Sequence, residues 1–411
     1  MSAVADVDLL APAAVADPQG ALADLREHDP VHWSDVHRAW ILTRYDDVAA
    51  ALLDRERLSS DRVTSVFEQR LSPEERAQRE PTFRILGKWM VFLDPPDHTR
   101  LRDLVRTAFT SRAVESLRPR VAELVEMLLR EPLERGRVDL VRDVAYPLPA
   151  TVIAEMLGVP PGDRELFKAW SDDITVLVFG GTDEPGRRDR AQKGIVELAA
   201  YLSDLVADYR RKPADNLITR LVQAQERSDR LSDDEVVSTC TLLLFGGHET
   251  TTNLIANGFL ALLRRPDQLD LLAGSPEVAV SAVEELNRYD GPSKFVVRRA
   301  AADVEIRGRT IAAGDAVLLA QCAANRDPRR FDEPDRLDLR RERNRHAAFG
   351  FGIHYCLGAP LARMEAQEAL PRLAAALRGA ELAIDEPQWQ PLVVSRALVS
   401  LPLTLAGVGR D

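Results

Sequence analysis

From about residue 100 to residue 290, apolar positions return every three to four residues, as in AVESLRPRVAELVEMLL and GIVELAAYLSDLVADYRRK. That period belongs to helices with one buried face. Strand-like runs are short and lie towards the ends of the chain: AWILTRY at 39–45, VEIRG at 304–308, AVLLAQ at 316–321 and PLTLAG at 402–407. Helices in the middle with small sheets at the edges predict a mainly α protein with small β-sheets, of the α+β class.

The longest helical signal starts at Ser232. Ser232 and Glu235 have the spacing of a capping box, and the pattern runs to about Arg265, where Pro266 stops it. Such a helix is roughly 50 Å long. Its TLLLF and NLIANGFLALL stretches require burial for most of that length. No repeat or low-complexity linker divides the chain, so one domain over residues 1–411 is expected, with 1–20 as a poorly ordered N-terminal segment.

Composition narrows the class. With 45% hydrophobic residues, the 411-residue chain can bury a sizeable interior, and a net charge of −11 argues against a nucleic-acid partner. The N-terminus has no basic region, and Asp6, Asp8 and Asp17 interrupt its apolar residues, so neither a signal peptide nor an anchor is expected. No later run reaches the ~18 apolar residues of a spanning helix. Cys240, Cys322 and Cys356 are too few for a disulfide framework and too scattered for a zinc site, which points to a reducing cytoplasm.

Two segments break the local rules. The first is Gly246-Gly247-His248-Glu249-Thr250-Thr251-Thr252-Asn253, in the middle of the long helix. Each glycine there costs roughly 1 kcal/mol relative to alanine, and buried polar groups cost more unless hydrogen-bonded. A flat ligand lying against bare backbone is one use for the glycines; contact with a crossing helix is the other. Thr250 can bond the carbonyl of Gly246, four residues earlier, and Glu249 can feed protons into a local groove. His248-Glu249 is not a zinc-protease motif, because Thr252 stands in place of the second histidine.

The second segment is Phe349-Gly350-Phe351-Gly352-Ile353-His354-Tyr355-Cys356-Leu357-Gly358-Ala359-Pro360, followed by a strongly helical run. Cys356 sits just before a helix N-terminus, where free amides and the helix dipole are expected to lower a thiol's pKa. A thiolate there can serve as a nucleophile, a redox thiol or an iron ligand. A dinucleotide fingerprint fails, since Tyr355 occupies the place of the third glycine.

Together these segments resemble the cytochrome P450 family. Phe349, Gly352, His354, Cys356 and Gly358 match its haem-binding signature, and Gly247-His248-Glu249-Thr250 resembles its oxygen-activating helix centre. Glu285 and Arg288 match its paired Glu and Arg, although on spacing alone such a pair is an ordinary surface contact. Asp94-Pro95-Pro96-Asp97-His98-Thr99-Arg100-Leu101-Arg102 is a fourth match. The matches keep the family's order from about residue 40 to the end.

The resemblance implies the family's α-rich prism, with haem b between the long helix and the cysteine loop. It implies Cys356 as the iron's thiolate ligand and His98, Arg102, Arg298 and His354 as propionate partners. Phe349, Gly350, Gly246 and Gly247 would lie against the cofactor, and Glu249 and Thr250 would carry protons. It implies monooxygenation of a small apolar organic substrate with O2, with electrons from NAD(P)H through a separate ferredoxin and its reductase, in a monomer. The intact Glu249–Thr250 pair argues against a peroxide-driven enzyme and against a haem sensor. Pocket walls are expected from Trp89, Val91, Trp170, Leu177, Val178, Phe179, Leu243, Leu244, Phe295, Val296 and the neighbourhood of Leu398, with Lys294 snorkelling to solvent. The arginine-rich stretch 340–345 is open between docking an acidic electron donor and lying solvated. Ala397 stands where bacterial members often have glycine.

Overall fold

Ser232 caps the long helix as its spacing predicts. Its hydroxyl accepts from the Glu235 amide at 3.2 Å, and the Glu235 carboxylate accepts from the Ser232 amide at 2.7 Å. In the computed structural model, which describes residues 4–63, 71–181, 186–228 and 231–405, this helix covers Asp233–Leu263. From Thr251 to Leu262 every residue is buried, because helices surround it on several sides. Those packed against it include Pro147–Leu157, Arg187–Arg211, Ala279–Asp290 and Ala359–Ala376. Leu254, Ile255, Phe259 and Leu262 join residues from these helices in the largest apolar core.

The strands are β1 (Val31–Ser34), β2 (Ala39–Leu42), β3 (Leu58–Ser59), β4 (Arg137–Asp139), β5 (Phe295–Ala300), β6 (Val304–Ile306), β7 (Arg309–Ile311), β8 (Ala316–Ala320), β9 (Glu381–Leu382) and β10 (Pro402–Thr404). The largest sheet has the order β1-β2-β8-β5-β3, with β2 and β8 parallel and its other pairs antiparallel. β5 was not expected from the pattern; its burial follows no strict alternation. The strand expected at 39–45 stops at Leu42, since Asp46 and Asp47 suit a first helical turn and Tyr45 starts one. The Tyr45 amide donates to Asp327 at 3.0 Å.

The N-terminal segment departs from expectation. From residue 4 it lies on the body of the protein, with Leu9 and Ala14 buried. Arg396 donates to the carbonyls of Val15 (3.0 Å) and Ala16 (3.1 Å) and pairs with Asp290 at 2.5 Å. Asp17 caps the next helix, which opens with Pro18. Among the described residues no helix is long and apolar enough to cross a membrane.

Glu285 and Arg288 are not a surface pair. Both side chains are 0% exposed and joined by two hydrogen bonds of 2.8 Å. Arg341 and Asn344 also donate to Glu285 at 3.1 Å, and Arg288 holds the carbonyls of Asn325 and Pro334. Part of the arginine-rich stretch is thus consumed inside the fold. Next to this knot, Glu284 pairs with Arg363 at 2.6 Å, and Arg363 donates to the Tyr355 hydroxyl at 2.9 Å. Burial alone would raise the Glu284 carboxyl; hydrogen bonds from Arg363 and His346 bring it down to about 2. The two acids tie helix Ala279–Asp290 to the chain around Cys356.

Candidate active site

The cysteine loop is a tight backbone turn. Gly350 and Gly352 have φ of 71° and 72°, a region that favours glycine. A Cβ at Gly352 would also stand 3.2 Å from the Leu52 carbonyl oxygen. The Cys356 amide donates to the Phe349 carbonyl at 2.9 Å, and the helix Ala359–Ala376 starts just beyond. The Cys356 side chain is open to an internal cavity, although the residue lies deep in the fold. Its thiol pKa differs from expectation. Burial raises it, against the amides of Gly358 and Ala359 and the charge of Arg102, because desolvation outweighs the helix N-terminus.

The cavity, of about 360 Å³, brings together residues far apart in sequence. Gly246, Gly247 and Thr250 come from the long helix; Phe349, Gly350, His354 and Cys356 come from the cysteine loop; His98, Arg102 and Arg298 complete the set. Glu249 does not line it. One residue is 100° of helix turn, which places Glu249 beside the wall, 12% exposed, with Oε1 3.4 Å from His248 Nε2. The Thr250 hydroxyl donates to the Gly246 carbonyl at 3.3 Å, while the helix stays continuous through 233–263.

The two central glycines separate the two uses anticipated for them. A Cβ at Gly246 would meet nothing closer than 4.0 Å and would project into open space. A Cβ at Gly247 would come within 2.8 Å of Ile153 Cγ1, on the crossing helix Pro147–Leu157. Gly247 therefore serves helix packing, although it also reaches the cavity. Gly247→Ala is expected to destabilise the protein by about 1–2 kcal/mol, overpacking outweighing the gain in helix propensity. Urea unfolding checks this, and an unchanged midpoint would show that Ile153 yields freely.

Apolar walls come from Trp89, Val91, Val178, Phe179, Leu243, Phe295 and Val296, as expected. Leu244, Trp170, Leu398 and Ala397 do not line it, and Leu242, Phe245 and Val394 do. The long helix presents 242, 243, 246, 250 and 254 on one face, and Leu244 falls on another. Leu177 lines a neighbouring cavity instead. Lys294 does not snorkel: it is buried, its ammonium donates to the Leu392 carbonyl at 2.6 Å, and burial pushes its pKa down to about 8.

The rim of the cavity is short of negative charge. His98 is 1% exposed, and neither ring nitrogen has a hydrogen-bond partner. Its ring stands 4.1 Å from that of His354. Burial, aided by Arg102, pushes His98 down to about 4; burial, aided by Arg298, pushes His354 down to about 3. Arg298 is lowered to about 10 by burial, and Arg102 donates to the Tyr355 carbonyl at 2.5 Å. Two supporting residues went unassigned in the sequence. The Ser60 hydroxyl lies 2.9 Å from His354 Nε2, and Asp94 accepts from the Ser60 amide at 2.9 Å and from the Ser59 hydroxyl at 2.5 Å. Trp89 donates to the Thr241 hydroxyl at 2.9 Å, fixing an aromatic wall to the long helix. Ser59 and Ser60 lie outside every recognisable motif, and no sequence signal marked them.

A long buried helix thus crosses over a recessed thiol, and among the described residues no carboxylate pairs with Arg102 or Arg298 at the rim. The family model "Cytochrome P450" matches residues 186–272 and 277–378. The chain is 44% identical to cytochrome P450 107B1 of Saccharopolyspora erythraea over 371 residues, 89% of each protein. It is 44% identical to the vitamin D(3) 25-hydroxylase of Pseudonocardia autotrophica, covering 95% of this chain and 94% of that one. The crystal structure of CalO2 superposes with a TM-score of 0.90 at 36% identity, over 99% of this chain and 100% of the other. The chain belongs to the cytochrome P450 family; it is a monooxygenase whose cofactor is haem b. The residues present fit that group: a dianionic ligand is what the orphaned His98 and the carboxylate-free Arg102 and Arg298 lack.

Proposed function

We propose that Cys356 would ligate the haem iron, that Arg102, Arg298, His98 and His354 would hold its propionates, and that Phe349, Gly350, Gly246 and Gly247 would lie against it. Bound there, haem would supply the activation of O2, and the Cys356 thiolate would tune its iron for that chemistry. The protein's own work is positioning and proton handling. Thr250 holds a hydroxyl at the cavity wall, anchored on Gly246, and Glu249 stands one step behind as the source of protons. The apolar walls orient the substrate and exclude water from the reacting face. The observation that carries this reading is one cavity holding the thiol and the hydroxyl-bearing helix together, with arginines at its rim that pair with no carboxylate among the described residues.

The substrate is a small apolar organic molecule that is hydroxylated or epoxidised, in keeping with a relative named as a vitamin D(3) hydroxylase. Electrons come from NAD(P)H through a separate ferredoxin and reductase in the cytoplasm, to an enzyme that works as one monomeric domain. Exposed Arg340, Arg343 and Arg345 before the cysteine loop suit an acidic donor. The spectrum of the reduced, carbon monoxide-treated protein tests the haem assignment: a strongly red-shifted Soret band is expected, and a histidine-type band would overturn it. Thr250→Ala is expected to keep that band but to lower product formed per NAD(P)H by about a hundredfold, the low end of positioned proton transfer, as reducing equivalents go to peroxide release instead. A variant as tightly coupled as wild type would remove Thr250 from the proton path.

A further inference from the structure

Beside the haem cavity lies a second, of about 540 Å³, and the two share a wall that includes Arg62, Phe92, Phe179 and Arg298. Among the described residues five arginines line this second cavity (Arg62, Arg79, Arg188, Arg298 and Arg299) and no Asp or Glu does. Much of the remaining lining is apolar.

Apart from Arg298, assigned above to a propionate, the buried arginines among the described residues have a carboxylate partner. Arg288 pairs with Glu285 at 2.8 Å, Arg396 with Asp290 at 2.5 Å and Arg326 with Asp335 at 2.7 Å. Desolvation makes such pairing necessary. Arg62, partly buried, has no such partner among the described residues. Its guanidinium lies 4.6 Å over the Phe92 ring and reaches the Val178 carbonyl only at 3.5 Å. Burial, with the charge of Arg298, pushes it down to about 10. Arg299, on β5, keeps Nε buried without a hydrogen-bond partner. Among the described residues neither side chain forms an ion pair. In the haem-site reading above, Arg102 and Arg298 already match the charge of the two propionates.

We propose that the substrate is an apolar molecule bearing a carboxylate, which Arg62 receives at the wall between the two cavities, with Arg299 lining the second cavity on the carboxylate's side, while its apolar body reaches into the haem cavity. This rests on the haem-site reading above. A guanidinium fork matches a carboxylate in shape and charge. The second cavity reaches the surface, where Arg188 and Gly314 are exposed, which gives a free acid a way in.

The test uses dodecanoic, tetradecanoic and hexadecanoic acids with their methyl esters, titrated into the haem-loaded enzyme and followed by spin-state shift and equilibrium dialysis. The acids are expected to bind about ten- to a hundredfold more tightly than the esters, the worth of a charge-assisted contact. The preference shrinks at high salt. In Arg62→Ala it falls towards one, in Arg299→Ala it is reduced, and in Arg62→Lys, which keeps the charge, part of it survives. The reduced carbon monoxide spectrum is recorded for each protein, so that a lost preference with an intact thiolate-type band reports on the arginine itself. Equal affinity for acids and esters, no binding of any acid, or a preference indifferent to Arg62 overturns the proposal. So does tighter binding of the acyl carrier protein-linked thioester than of the free acid. A missing thiolate-type band in wild type overturns the haem-site reading instead.

Discussion

Cys356→Ser is expected to give a folded protein without a thiolate-type Soret band and with monooxygenase activity lowered by well over a hundredfold, beyond what loss of a residue supporting a metal ligand costs. The fold should survive because the loop is held by other means. The Cys356 amide bonds the Phe349 carbonyl, Gly350 and Gly352 set the turn, and Arg363 anchors Tyr355 to Glu284. None of these needs the sulfur. Far-UV circular dichroism checks the fold, and the reduced carbon monoxide spectrum checks the ligand. A thiolate-type band in the serine variant would mean another residue ligates the iron. Cys240 and Cys322 are poor replacements: both are buried, and burial raises their thiols to about 12 and about 11.

The largest expected loss of stability follows Glu285→Ala. This carboxylate accepts from Arg288, Arg341, Asn344 and the Asp338 amide, and no part of it reaches solvent. Removing it leaves the Arg288 guanidinium buried beside Arg326 and Arg341 with no opposing carboxylate in that knot, a situation that costs about 3–5 kcal/mol. Set against a total stability of roughly 5–15 kcal/mol, that is enough to lower the unfolding midpoint steeply and to reduce haem content in the purified protein. The measurement is urea unfolding beside the haem-to-protein ratio. A loss below about 1 kcal/mol would mean that water takes the place of the carboxylate, as it does for a surface pair.

Much of this was legible in the sequence where the signal is local. The Ser232–Glu235 box and Pro266 bracket the long helix almost to the residue, because capping and helix termination are settled within a turn. The cysteine loop announced its turn through its glycines. What escaped reading depends on burial, which is set by partners far along the chain. Glu285–Arg288 has the spacing of a surface pair and is a buried knot. Cys356 has the position of an acidified thiol, yet desolvation outweighs its amides. Lys294 has the look of a snorkelling residue, but the Leu392 carbonyl, nearly a hundred residues away, holds it inside. Residues 4–20 lacked a strong periodic signal and are fixed by Arg396, close to the other end of the chain.

The approach of Gly247 to Ile153 has a consequence for how such an enzyme changes over generations. Each position restricts what the other accepts: a methyl group at 247 has room only when 153 has given some up. The two therefore form an epistatic pair. Ile153→Ala, harmful alone, removes the Cγ1 and Cδ1 carbons that a methyl group at 247 would meet, and the double variant should lose less stability than the two single losses added together. Gly246 carries no such bond to a distant site. Substitutions there meet the occupant of the cavity and not the scaffold, so selection for a new substrate can act on 246 while 247 and 153 drift only in concert.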